Sequence, residues 1–153
     1  MHRVLAGCVS MVGLLALSSV ACAQAQGEVR VFADGAVTEV ARQAGEALAS
    51  SSGHSLVVIS VTTESLQRRL ESELADVVFG AAPAIDALEN ANRFVPGTRV
   101  DVARAADLSA SYSAAMMATG ENSEGARAFL RTLVGEEGRA AVTAAGLEPI
   151  GVP

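Results

Sequence analysis

Between Glu28 and Leu88 three short Val-rich runs alternate with three amphipathic ones, and this alternation restricts the fold more than any other feature of the chain. "EVRVFA" reads as a strand, and the segment after it sets Val37, Val40, Ala41, Ala44 and Leu48 on one helical face. "SLVVISV" is a continuous apolar run of the kind buried on both sides in a parallel sheet. In "TESLQRRLESEL" a stripe of Leu66, Leu70 and Leu74 stands opposite Arg68 and Arg69, which predicts a half-buried helix with an exposed basic face. "ADVVFGAA" is the third strand, and Pro83 suits the first turn of a helix carrying Ile85 and Leu88. Repeated strand–helix–strand units need right-handed crossovers, so the expected class is α/β: an open, mostly parallel sheet with helices on both faces.

The stretch "VDVARAADLSASYSAAMM", residues 100–117, breaks this rhythm. Two β-like runs meet there across a few small and charged residues, with no helix between them. Two helices follow. The first turns Ala126, Phe129, Leu130 and Leu133 inward behind Asn122 or Ser123 as a cap; the second opens with Glu136 and Glu137 and closes at Gly146. Regular structure is expected to end at Pro149. Because a compact α/β lobe needs many tens of residues, the segment from Arg104 to Ser109 cannot hold a second domain. Residues 26–153 are therefore expected to form a single lobe with a seam near 105–108.

Ahead of it, Val4 to Ala21 is an almost unbroken apolar run behind Arg3, ending in Ala21-Cys22-Ala23 and Ala23-Gln24-Ala25. Residues 1–25 thus read as a secretory signal peptide, cut after Ala23 or Ala25, and the product as periplasmic or secreted. An uncleaved anchor and a lipid-modified Cys22 are the two rival readings; Ser19 stands where lipoproteins of this kind usually carry Leu. Cleavage would remove Cys8 and Cys22 and with them all thiol and disulfide chemistry.

Charge and composition narrow the function. The chain has 17 acidic residues against 11 basic ones, all arginine, and a formal net charge of −6, one unit more negative once Arg3 is gone. Such a balance disfavours a general nucleic-acid or anionic-membrane binder, and four Phe with one Tyr supply no stacking platform. Without cysteine in the exported part and without a Gly-x-Ser-x-Gly elbow, nucleophilic catalysis lacks its parts, so the reading is a non-enzyme with no metal and no cofactor. His54, in a Ser-Ser-Gly-His turn, reads as a solvated loop residue, and Met116 and Met117 as core.

In an open α/β sheet, ligands bind beyond the carboxyl ends of the strands. Three loops are expected there: Asp34-Gly35-Ala36, Thr62-Thr63-Glu64-Ser65 and Gly80-Ala81-Ala82. Each precedes a helix, so backbone N–H groups would converge on a small anion.

The segments "VFADGAVTEVARQ", "SLQRRLESELADVVFGAAPAIDAL", "VPGTRVDVAR" and "GARAFLRTLVGEEGRAAVTAAGLEP" resemble, in order, blocks of the molybdate-type substrate-binding proteins of ABC transporters. The resemblance implies one lobe of a type II periplasmic-binding-protein-like fold, with the family's second lobe missing at the seam. It implies an oxyanion ligand such as molybdate, held by Asp34, Gly35, Ala36, Thr62, Thr63, Glu64, Ala81, Ala82 and Tyr112, and an ABC transporter permease as partner. Self-association through the exposed lobe edge is a further expectation. Ala36 stands where the family usually presents Ser, and Asp34 and Glu64 add carboxylates that would face a bound anion or else only cap helices. The alternatives are a protein-interaction module and a non-functional remnant of a two-lobed receptor.

Overall fold

Val29–Asp34 forms β1, the first strand, and Thr38–Ser52 forms α1; the remaining elements are β2 (Leu56–Val61), α2 (Thr63–Ser72), β3 (Val77–Ala81), α3 (Ala82–Asn90), β4 (Val100–Arg104), β5 (Ser111–Met116), α4 (Ser123–Val134), α5 (Glu136–Ala144) and β6 (Glu148–Pro149). This computed structural model describes residues 27–150; the expected leader and its cleavage points lie outside them. The six strands make one sheet in the order β2-β1-β3-β5-β4-β6. β1 pairs in parallel with β2 and β3, β5 runs antiparallel to β3 and β4, and β6 antiparallel to β4, so four of the six strands point the same way. Among the described residues no helix is long and apolar enough to cross a membrane.

Alternation along the central strands divides the core. Val31, Ala33, Val77 and Phe79 face α1, α4 and α5, where Val40, Leu48, Phe129 and Leu133 close the packing. Phe32 and Val78 face α2 and α3, against Leu66, Leu70, Ile85 and Leu88. All four phenylalanines are buried. Each contributes about 1.5–3 kcal/mol of transfer free energy there, so the chain's few aromatic rings serve the core.

Several sequence expectations need correction. The apolar β2 is not buried on both sides: it lies at the end of the sheet, and Val57 is 36% exposed. Its hydrophobicity suggested a central strand, but position in the sheet is set by the crossovers, which a single strand's composition does not encode. Leu74 falls beyond the end of α2 and is 46% exposed, so the leucine stripe stops at Leu70.

The seam is a tight hairpin. Ala105 N–H donates to the Ala110 carbonyl at 2.8 Å, and Leu108 N–H to the Ala105 carbonyl at 2.9 Å. Asp107 Oδ1 accepts from the Ser109 N–H at 3.0 Å and from its hydroxyl at 2.6 Å. Those two bonds hold the Asp107 carboxyl below its ordinary range, the hydroxyl contributing most. Leu108, at φ 60°, takes the left-handed conformation at the tip with its side chain 68% exposed. Pro149 ends regular structure as expected, as the last residue of β6: it pairs with Ala103, while Glu148 pairs with Arg104 in the ladder and through an ion pair.

At the amino end of β3, Asp76 is 4% exposed and accepts from the Arg30 N–H and the Asn122 N–H, both at 2.8 Å. Asn122 in turn caps α4 through the Gly125 N–H and donates to the Gly27 carbonyl. His54 is buried beside the same carbonyl, its Nδ1 3.3 Å away, which replaces the expectation of a solvated turn. A Gly before a His looks like a loop in sequence. Here Gly53, at φ 73°, ends α1 and turns His54 back under the first strand.

Candidate functional site

Three parallel strands end together, and each passes almost directly into a helix. β1 ends at Asp34, β2 at Val61 and β3 at Ala81; α2 begins after a single residue and α3 after none. Gly80 and Ala81 therefore belong to the strand rather than to a loop. Right-handed crossovers that alternate faces bring these ends side by side, with α1 on one face and α2 and α3 on the other.

After β1 the backbone folds onto its own acid. Asp34 Oδ1 accepts from the Ala36 N–H at 3.1 Å, and the Asp34 carbonyl accepts from the Val37 N–H at 2.9 Å and the Thr38 hydroxyl at 3.0 Å. Thr38, not singled out in the sequence, also lies 3.2 Å from the Ser60 hydroxyl and so ties the first loop to β2. Its signal was the Asp34–Thr38 spacing at the entrance of a helix, where a hydroxyl can return to a free carbonyl.

After β2 a capping box starts α2. Thr62 Oγ1 accepts from the Ser65 N–H at 3.3 Å, and Ser65 Oγ accepts from the Thr62 N–H at 3.0 Å. Thr63, the first helical residue, makes no side-chain hydrogen bond within the described residues. Glu64 is fully exposed, and its carboxyl is held below the ordinary value by its own backbone N–H and then by Thr62. A carboxylate in the first turn also complements the helix dipole.

Asp34, Thr62, Thr63, Gly80 and Ala81 line a cleft floored by Val61, Leu66, Phe79 and Ala84. Its volume is about 10 Å³, room for about one water, so an ion would rest on the rim rather than inside. No basic side chain lines it. Gly35, Ala36, Glu64 and Ala82 border the cleft along the chain without lining it. Tyr112 pairs with Ala81 in the sheet and is half-buried against the core on the α1 side. Larger hollows of about 300 and 290 Å³ lie elsewhere, beside β2 and between α1, α4 and α5. Among the described residues no three His, Cys, Asp or Glu side chains gather as a metal site would require.

No family model matches the chain, and no curated protein matches it in sequence. Solved structures do match. The substrate-binding domain of a putative molybdenum ABC transporter from Clostridium difficile superposes with a TM-score of 0.70 at 12% identity, covering 81% of this chain and 99% of that one. The periplasmic molybdate-binding protein of Azotobacter vinelandii gives 0.68 at 11%, over 82% and 99%. Iron-bound HitA from Pseudomonas aeruginosa gives 0.67 at 8%, over 81% and 86%. At such identities the likeness is one of fold: the described residues have the architecture of a lobe of the type II periplasmic-binding fold.

Proposed function

We propose that this chain is an exported solute-binding protein of the ABC-transporter kind that holds a small oxyanion, such as molybdate, at the carboxyl edge of its sheet, without enzymatic chemistry. The observation that carries the reading is the joint ending of β1, β2 and β3 at Asp34, Val61 and Ala81, each directly ahead of a helix. Helix N-termini leave N–H groups without intrahelical partners, and the Thr63 hydroxyl adds a side-chain donor. The fold shared with a substrate-binding domain of a putative molybdenum ABC transporter and with a periplasmic molybdate-binding protein supports the same ligand class. Its setting is the periplasm, reached by the leader at 1–25, and its transport partner is a permease.

The protein acts in single-lobe form. β4 turns straight into β5 through the hairpin at Ala105–Ala110, where the resembled family would insert its second lobe. A lone lobe leaves its ligand in water, where each hydrogen bond nets about 0.5–1.5 kcal/mol. Every 1.4 kcal/mol is about tenfold in affinity, so losing three or four contacts turns a tight site into one of micromolar to millimolar strength. The half-buried edge around Ala81, Ala82 and Tyr112, where the missing lobe would rest, is available for self-association.

Calorimetric titration of the purified exported protein with molybdate, tungstate and sulfate tests the proposal. Saturable heat in the micromolar to millimolar range is expected. If all three stay silent at millimolar concentration, the protein is not an oxyanion receptor and the interaction-module reading takes its place.

A further inference from the structure

The other end of the sheet carries a surface unconnected with the ligand edge. β2 is the outermost strand, with β1 on one side and no paired strand on the other among the described residues. Its sequence, LVVISV, holds no charge and no proline. Proteins normally protect a free edge with charged residues, proline, a bulge or a covering helix. β2 pairs with β1 in unbroken register over all six residues and is only partly covered, with Val57 and Ser60 exposed.

Beside this edge lies a hollow of about 300 Å³ with an apolar wall of Gly45, Ala49, Leu56 and Val58. Gly45 sets its depth: a Cβ there would come within 2.5 Å of Leu56 Cδ2, so α1 lies directly against the strand. Arg42 and Glu46, one turn apart and paired with each other, stand on the rim.

We propose that β2 pairs with β2 of a second copy in antiparallel fashion about a twofold axis, joining the two sheets into one. A backbone ladder is complementary to itself under that rotation, and an uncharged strand brings no like charges into register. The two α1 helices then lie antiparallel on the same face of the joined sheet. The axis reverses the order of Arg42 and Glu46, so unlike charges meet across the hollow. A six-residue strand is about 20 Å long, and its pairing with flanking side chains buries on the order of 1,000 Å², the lower limit for a specific interface. The dimer is therefore reversible, forming in the micromolar range.

Sedimentation velocity of the exported protein over the micromolar to millimolar range tests this. The expected result is a monomer–dimer equilibrium that Val57→Thr preserves and Val57→Lys weakens by at least about tenfold, because a charge enters the ladder from each copy. Circular dichroism and thermal melting establish that the variants fold; Ser60→Lys, also at an exposed position, must show the same loss. A dimer that Val57→Lys and Ser60→Lys leave intact overturns the proposal, since its interface lies elsewhere. Monomer at every concentration overturns it too.

Discussion

Asp34 Oδ1 lies 3.1 Å from the Ala36 nitrogen and accepts its hydrogen bond, so the donor that the first loop would offer an incoming anion is held by the protein's own carboxylate. Glu64 stands exposed in the first turn of α2, its carboxyl held below its ordinary value by its own backbone N–H and then by Thr62. Asp34 thus closes a turn ahead of α1, and the side-chain cap of α2 is Thr62 rather than Glu64. Both carboxylates stand at the proposed ligand edge as negative charges that a bound oxyanion would face.

Removing either charge should therefore tighten binding. At about 4 Å two unit charges in water repel by about 1 kcal/mol, so Asp34→Asn or Glu64→Gln should lower the dissociation constant for sulfate roughly fivefold. Thr63→Ala, which deletes a hydroxyl not otherwise engaged among the described residues, should raise it by a similar factor. Calorimetry on the three variants decides; unchanged affinity in all of them would place the ion elsewhere.

Acid should destabilise the fold in a defined window. Glu39 is lowered from 4.5 to about 2 by its hydrogen bond from Arg42, then by Gln43. Glu64 and Asp107 are lowered from 4.5 and 3.8. A carboxyl with a depressed folded pKa contributes stability that is complete above its unfolded value and lost as pH falls through the folded one. Urea midpoints should hold steady down to about pH 5 and decline toward about pH 2. All three groups are exposed, so added salt should flatten the decline.

Asp76 should be the most costly polar residue to remove. Asp76→Ala would leave the Arg30 and Asn122 N–H groups without their partner beside the core. The expected loss is about 2–4 kcal/mol, read as a lower urea midpoint with unchanged slope. Asp76→Asn keeps one acceptor oxygen and should lose less. Equal stability of the wild type and Asp76→Ala would contradict the clamp.

The hairpin tip offers the opposite effect. Leu108 occupies the left-handed region at φ 60° while its side chain is mostly in water, so little packing opposes its strain. Leu108→Gly should stabilise by about 0.5–1 kcal/mol, whereas Asp107→Ala should destabilise by breaking the turn. Thermal melts of the two variants should move in opposite directions.

Sequence revealed those features that repeat over several residues. The helical spacing of Val40, Ala44 and Leu48, the Pro83 start of α3, the Asn122 cap and the direct passage from β4 to β5 were legible because each has a local physical signature. The edge position of β2 was not, because a buried and an edge apolar strand share a composition and differ only in their neighbours. Asp76 and His54 were missed for a related reason: their partners, Asn122 and Gly27, are distant in sequence. At the site, the converging loops could be foreseen from the alternation of strands and helices. That Asp34 turns back on Ala36 could not, since the same Asp-Gly-Ala triplet also suits an open anion loop.

The most direct test of the central claim is a two-dimensional amide NMR titration of the exported protein with sulfate and molybdate. Binding at the carboxyl edge predicts shifts concentrated at Gly35, Thr63, Glu64 and Ala82, saturating with a micromolar to millimolar dissociation constant. Shifts centred instead on exposed arginines such as Arg131 and Arg139, or no shifts at all, would contradict the site; nanomolar saturation would contradict the single open lobe.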